Sequence, residues 1–245
     1  MKLQKILNKF QKLHSHKIDD LSLERIRLLM AGLGNPQDKI NCIQVCGTNG
    51  KGSTISFLRS ILNEANYKCN VYTSPNVISI NERFVYNDEM IGDDDLADLL
   101  NKVHEVNNGK PLSYFEALTA AFFLGCEKYR DNIVLAEFGL FGRGDAVNIL
   151  KKNLANCVSS ISHDHLDWLP ENDRTIERII YEKTSSLLNS NIIVAKQSSN
   201  KIVKCIKKNI SNNSANKIFY ERDYNFVLKE NDFFFYEDQY GSLKI

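Results

Sequence analysis

The 245 residues carry 43% hydrophobic and 25% charged side chains and a formal net charge of +1, the balance expected of a soluble globular chain. So small a net charge argues against a generic nucleic-acid-binding surface. No apolar run reaches the roughly 18 residues of a membrane span, so neither nucleic acid nor membrane is an expected partner.

The first ten residues open with a charge but lack an apolar signal core and a small-residue cleavage site. Leu3, Ile6, Leu7, Phe10 and Leu13 recur at helical spacing, which predicts an amphipathic helix rather than a signal peptide. A second helix is predicted over residues 23–33, stopped by Gly34-Asn35-Pro36. Residues 40–46 read as a short strand, followed by a glycine-rich loop, a helix over 53–65 and a strand over 68–72. That order predicts a right-handed βαβ crossover in a parallel sheet. Residues 76–92 are polar and read as a long irregular functional loop. Helices are predicted over 94–106, 113–129 and 174–188. Strands are predicted over 133–136, 157–161 and 192–195, as compact apolar runs suited to a sheet covered on both faces. Residues 225–228 and 233–236, with a turn near 239–242, predict antiparallel hairpins. No internal repeat is evident.

The fold class is therefore α/β: a P-loop-type, mostly parallel sheet flanked by helices, with a small antiparallel β appendage near the C-terminus. The expected organisation over residues 1–245 has a helical segment at 1–38 and the hairpin appendage at 218–245. The six cysteines, Cys42, Cys46, Cys69, Cys126, Cys157 and Cys205, form no C-x-x-C pair. Buried free thiols in a reducing cytoplasm are the expectation.

Gly47-Thr48-Asn49-Gly50-Lys51-Gly52-Ser53 is the most informative segment. Binding a phosphate needs converging backbone N–H groups and a positive charge. The glycines let the backbone curl, Lys51 can reach the β- and γ-phosphates, and the following helix turns its positive end to the anion. Ser53 or Thr54 offers a hydroxyl to a magnesium ion. The match to G-x-x-x-x-G-K-[ST] is incomplete, since Val45 takes the first glycine position and Gly52 follows the lysine.

Glu137 follows a predicted strand, at the carboxyl end where ligands of open α/β sheets collect. It reads either as a holder of Mg²⁺ or as a loop carboxylate paired with Arg143. His163-Asp164-His165 reads as a fragment of a metal site or as solvated loop histidines. On its residues alone, Lys183 reads as a solvated helix lysine. Ser74-Pro75 lies just past the strand ending at Tyr72.

Together these segments resemble the folylpolyglutamate synthase and dihydrofolate synthase enzymes, relatives of the Mur ligases of cell-wall synthesis. The resemblance is carried by residues 13–25 and 32–37, the loop 47–53, Thr73-Ser74-Pro75 with Asn81-Glu82-Arg83, Tyr114-Phe115-Glu116 with Leu118-Thr119-Ala120, and residues 137–148 and 160–169. It implies an ATP-dependent ligase that joins L-glutamate to dihydropteroate or tetrahydrofolate through an acyl phosphate. By the same resemblance, Gly47, Thr48, Asn49, Gly50, Lys51, Gly52 and Ser53 bind ATP, and Ser74, Glu137 and His165 hold Mg²⁺. Leu21, Ser22, Leu23, Tyr114, Phe115, Glu116, Gly144, Asp145 and Ala146 line the substrate site. Lys51 and Lys183 are its catalytic lysines, with Lys183 matching a lysine that is carbamylated in the family. A cytoplasmic monomer is implied.

Departures accompany the likeness. Asn76 replaces a usual His, Phe141 and Gly144 stand where Gly and Leu are usual, and Thr184-Ser185-Ser186 replaces Ala-Gly-Ile. Family members have a C-terminal ligase domain that is expected to be absent here, so the chain alone is expected to turn over little. A catalytically inactive nucleotide-binding relative and a Mur-type amino-acid ligase are the competing readings.

Overall fold

A computed structural model of the chain describes residues 2–13, 21–229 and 233–244. The elements begin with helices α1 (Lys2–Leu13) and α2 (Glu24–Gly32), then β1 (Asn41–Cys46), α3 (Lys51–Glu64) and β2 (Cys69–Tyr72). There follow β3 (Phe84–Tyr86), β4 (Glu89–Met90), α4 (Asp93–Asn107), α5 (Tyr114–Gly125), β5 (Ile133–Glu137) and β6 (Ala155–Val158). The chain continues through α6 (Ile176–Thr184), β7 (Asn191–Val194), α7 (Asn200–Asn209) and β8 (Lys217–Phe219). Three strands complete it: β9 (Tyr224–Lys229), β10 (Phe233–Asp238) and β11 (Gly241–Lys244). Of the sequence segment 13–25, residues 14–20 lie outside the described residues.

The main sheet has eight strands in the order β4-β3-β2-β5-β1-β6-β7-β8. The pairs from β2 through β8 are parallel, while β2–β3 and β3–β4 are antiparallel. Strand β2 is buried throughout, and β5 is buried from Val134 to Glu137. This explains their continuous apolar character, because strands covered on both faces gain nothing from a polar alternation. Helix α3 covers β1, β2 and β5 over a small core of Val45, Ile55, Cys69, Val71 and Leu135. A much larger core unites α1, α2, α4 and α5, with Leu3, Ile6, Leu7 and Phe10 of α1 buried in it. Tyr72 and Phe122 stack within that core at 4.8 Å between ring centroids.

Local caps fix the helix starts. Ser113 and Glu116 form a capping box on α5, and Thr175 and Ser199 cap α6 and α7. Each such cap stabilises by about 1 kcal/mol.

Several expectations are revised. Residues 76–92 are not an irregular loop. They hold a helical turn at Ile80–Arg83 and the β3–β4 hairpin, whose tip Asn87-Asp88 has two left-handed residues. Two successive positive φ angles match the twist of a tight hairpin, and Phe84 and Tyr86 alternate inward across so short a strand that the surrounding polar residues mask the pattern. Residues 174–188 contract to α6, because Thr175 caps it at Ile176. Helix α7 and strand β8 were not anticipated. β8 joins the main sheet beside β7, so the three-stranded appendage begins at Tyr224 rather than at 218. No described helix is long and apolar enough to cross a membrane.

Candidate nucleotide and substrate site

The phosphate loop leaves β1 at the middle of the sheet and enters α3 at Lys51. Gly47 has φ +138°, and a Cβ there would fall 2.0 Å from Ser159 Oγ, so no larger residue fits. Gly50, at φ +82°, is the residue from which α3 starts. The loop is stitched to the segment after β6. Thr48 and Asn49 donate their N–H groups to Ser160 O at 2.8 and 3.1 Å. Thr48 Oγ1 donates to Ser162 O and accepts from Ser162 N, both at 3.1 Å. Asn49 Nδ2 reaches Ser162 Oγ. Thr48 and Asn49 thus brace the loop as well as belonging to it. Ser53 is exposed in the first turn of α3, and Thr54 Oγ1 donates to Gly50 O.

Lys51 Nζ donates to Thr48 O and lies 3.7 Å from Glu137 Oε1. Glu137 is buried at the end of β5, which pairs with β1 so that Val45 faces Glu137. Its other oxygen accepts from Ser74 N at 3.1 Å. Burial raises its pKa, opposed by the Ser74 N–H, Lys51 and Arg83. The pairing of Glu137 with Arg143 does not occur. Arg143 instead pairs with Glu182 at 2.9 Å.

A cavity of about 480 Å³ opens beside this group. Of the substrate-site expectations, Leu21, Ser22, Leu23, Phe115, Glu116, Gly144, Asp145 and Ala146 line it, and so do Ser74 and His165. Tyr114 is half-buried and is not part of the lining. Glu116 has structural work as well: it accepts from Ser113 N at 2.6 Å and pairs with Arg25 at 3.3 Å. Asp145 is buried and accepts from Leu140 N and Val147 N at 2.8 and 2.9 Å. Burial nevertheless raises its pKa to about 6.

His165 is half-buried with a left-handed backbone, and its Nε2 lies 3.2 Å from Asp164 Oδ2. Burial lowers its pKa, Asp164 raises it, and Lys183 and Lys51 lower it further. His163 is exposed. Lys183 is not a solvated lysine: it is 1% exposed, and Nζ donates to Gly47 O at 3.0 Å and to Leu140 O at 2.9 Å. Burial lowers its pKa, with Lys51 adding to the effect.

Arg25, Arg83, Leu140 and Trp168, which had no role from the sequence, also line the cavity. Arg83 is held by Asn76, whose Oδ1 accepts from its Nε at 2.8 Å. Its place in the Asn81-Glu82-Arg83 segment was the available signal. Among the described residues, no group of three or more His, Cys, Asp or Glu could hold a metal ion. The oxygen donors present, a serine hydroxyl and one buried carboxylate beside a phosphate loop, fit a cation such as Mg²⁺ that takes few protein ligands and completes its shell with phosphate oxygens and water.

A glycine loop between a central parallel strand and a helix, with a carboxylate on the neighbouring strand, gives the chain a P-loop-type α/β architecture. No family profile matches the sequence. A dihydrofolate synthase/folylpolyglutamate synthase of Bacillus subtilis is 40% identical over 169 residues, covering 66% of this chain and 38% of that protein. Among solved structures, Escherichia coli FolC in complex with DHPP and ADP is 30% identical with a TM-score of 0.86, covering 98% of this chain and 56% of that one. A bifunctional folylpolyglutamate synthase/dihydrofolate synthase of Yersinia pestis, complexed with AMPPNP and Mn ion, shares the fold at 24% identity and a TM-score of 0.85, covering 98% and 57% of the two chains. The chain belongs to the dihydrofolate synthase/folylpolyglutamate synthase family. It spans about two fifths of the length of the curated relatives it matches.

Proposed function

We propose that this chain provides the nucleotide and folate side of an ATP-dependent ligase that joins L-glutamate to dihydropteroate or a tetrahydrofolate. The observation that carries the reading is Ser74. Its backbone N–H is bonded to Glu137, the partner of Lys51, and its residue lines the 480 Å³ cavity. One residue therefore links the phosphate loop to a largely apolar space of the volume small ligands occupy.

In the reaction, a folate carboxylate oxygen attacks the γ-phosphorus of ATP and ADP leaves. The glutamate amine then attacks the acyl phosphate, phosphate departs, and the amine proton passes to solvent. A carboxylate is a poor electrophile because oxide is a poor leaving group, and phosphorylation removes that obstacle. The residues here hold and orient. The N–H groups from Gly50 into the start of α3 receive the phosphates, those of Thr48 and Asn49 being bonded to Ser160 O, Lys51 screens the charge between two anions, and the walls at Leu21, Leu23, Phe115 and Ala146 exclude water from the ring system. Ser74, Glu137 and His165 would hold Mg²⁺, which when bound neutralises phosphate charge. The same reading makes the enzyme a cytoplasmic monomer.

Because the chain spans 38% of the Bacillus protein, binding tests the reading more directly than turnover. Calorimetry should give saturable ADP binding that strengthens with Mg²⁺, and fluorescence titration should give dihydropteroate binding. Nucleotide binding without dihydropteroate binding would favour an inactive nucleotide-binding relative. Absence of both would overturn the reading.

A further inference from the structure

The cavity wall carries two arginines, and they stand differently. Arg25 is paired with Glu116 at 3.3 Å. Arg83 pairs with no carboxylate among the described residues, and the carboxylates around it are committed elsewhere. Glu82, its chain neighbour, accepts from the N–H groups of Val77, Ile78 and Ser79. Glu137 accepts from Ser74 N and faces Lys51. Asp145 accepts from Leu140 N and Val147 N.

Arg83 is nevertheless held at both ends. Thr73 N donates to its carbonyl oxygen at 3.3 Å, just where β2 and β3 begin to pair with Tyr72 facing Phe84. Its Nε donates to Asn76 Oδ1 at 2.8 Å. The backbone and the root of the guanidinium group are therefore fixed, while the two Nη nitrogens have no protein acceptor among the described hydrogen bonds. The residue is half-buried, so the charge has lost part of its water. A guanidinium in that state presents a planar fork of donors, which a carboxylate matches with its two oxygens.

The place of Arg83 selects the anion. It adjoins Ser74, the residue bonded to Glu137, and burial raises the pKa of Glu137 and of Tyr114 with Arg83 among the charges that oppose it. Yet none of residues 47–53 lines the cavity, whose wall opposite the arginine includes Leu21, Leu23, Phe115 and Ala146. The phosphates have the loop and Lys51. The anion left for Arg83 is one carried by the largely apolar ligand that such a wall accepts.

We propose that Arg83 grips, through its two Nη nitrogens, the folate carboxylate that is to be activated, and that Asn76 is the positioning residue that turns the guanidinium toward it. The assignment deepens the ligase reading and rests on it. With Lys51 on the phosphates and Arg83 on the carboxylate, each of two anions that must meet has its own cation.

Fluorescence titration of the full chain with dihydropteroate and with its carboxamide, which keeps the ring system and loses the charge, tests the proposal. The wild type should bind the acid at least tenfold more tightly than the amide. Arg83→Met should weaken the acid about thirtyfold, the scale of a charge-assisted pair, and leave the amide within about twofold of wild type. Asn76→Ala should cost the acid about fivefold and the amide nothing. Calorimetry with AMPPNP should give the same affinity for wild type and Arg83→Met. Equal loss of acid and amide in Arg83→Met would make the arginine a structural residue and overturn the proposal. So would a loss of AMPPNP binding with the acid unaffected, which would place the guanidinium on the γ-phosphate. Asn76→Ala that binds the acid as wild type does overturns the positioning role. Should Arg83→Met fail to fold, a wild type that binds acid and amide equally overturns the proposal unaided. A wild type that binds neither overturns the folate reading itself.

Discussion

Lys51 Nζ stands 3.7 Å from Glu137 Oε1. The lysine comes from the first turn of α3 and the carboxylate from the last residue of β5, brought side by side because β1 and β5 pair in parallel. Both side chains are largely buried, and each offsets part of the other's lost hydration, beside the Ser74 N–H on Glu137 and the Thr48 carbonyl on Lys51. Lys51→Met should weaken ADP binding by about a hundredfold, the scale of a lost charge-assisted contact of roughly 3 kcal/mol. It should also destabilise the fold by stranding the carboxylate. Lys51→Met/Glu137→Gln should then be more stable toward urea than Lys51→Met alone. Equal stability of the two variants would show that the pair is not coupled.

Asp145 gives a pH signature. Burial raises its folded pKa to about 6, against about 4 when unfolded. The folded chain therefore keeps a proton that the unfolded chain releases. This contribution to stability is fully present below about pH 4 and is lost as pH rises through about 6. The expected loss is about 3 kcal/mol across that window. Asp145→Asn cannot titrate, so the stability difference between wild type and variant should shrink as pH rises from 4 to 7. Urea unfolding at a series of pH values measures it, and a pH-independent difference would refute the assignment.

The phosphate loop was legible because its requirements are local. Gly47 and Gly50 both hold positive φ angles, a local requirement that the distant Ser159 only reinforces at Gly47, and the strand before them and helix after them announce themselves by period. The cavity was legible only through resemblance, since its wall gathers the start of α2, residues 74–83, the start of α5, residues 139–146 and the turn at 165–168. No periodicity reports contacts so far apart in sequence. Glu116 shows the limit of that resemblance: it was expected only as a ligand contact, while the structure also uses it to cap α5 and to hold Arg25. Lys183 was read from its residues as solvated because a single lysine on a helix carries no sign of the two distant carbonyls that bury it.

The segment between Ser74 and Arg83 depends on Glu82. Its carboxylate accepts from the N–H groups of Val77, Ile78 and Ser79 at 2.7 to 2.8 Å, while the side chains of Val77 and Ile78 are 90% and 91% exposed. With so little packing at the tip, those bonds hold its shape. They also lower the Glu82 pKa, led by the Val77 N–H. The carboxylate's contribution is present above its unfolded pKa of about 4.3 and lost as pH falls through the lower folded value. Glu82→Ala should raise hydrogen exchange at Val77, Ile78 and Ser79 by about tenfold, with no change at the core amides of β5. It should also weaken dihydropteroate binding, because Ser74 and Arg83 line the cavity from either end of the segment. Unaltered exchange at those three amides would show that another contact orders them.

Gly144 sets the distance between the segment at Leu21 and the loop after β5. A Cβ built on it lies 2.5 Å from Leu21 Cβ and 2.8 Å from Leu21 O. The second of these is backbone, which cannot swing aside as a side-chain tip would. Gly144→Ala must therefore lift residues 21–23 away from the cavity or strain the loop. Overpacking of this kind costs about 1–3 kcal/mol. Leu21 and Ser22 also line a neighbouring cavity of about 390 Å³ that shares Gly144 and Trp168, so displacement should change both spaces together. The expected result is weaker dihydropteroate binding with ADP affinity unchanged, because the phosphate loop is braced by Ser160 and Ser162 and not by Leu21. Calorimetry with each ligand on Gly144→Ala separates the two effects. An equal loss of both affinities would mean that the Leu21 segment and the phosphate loop move as one unit.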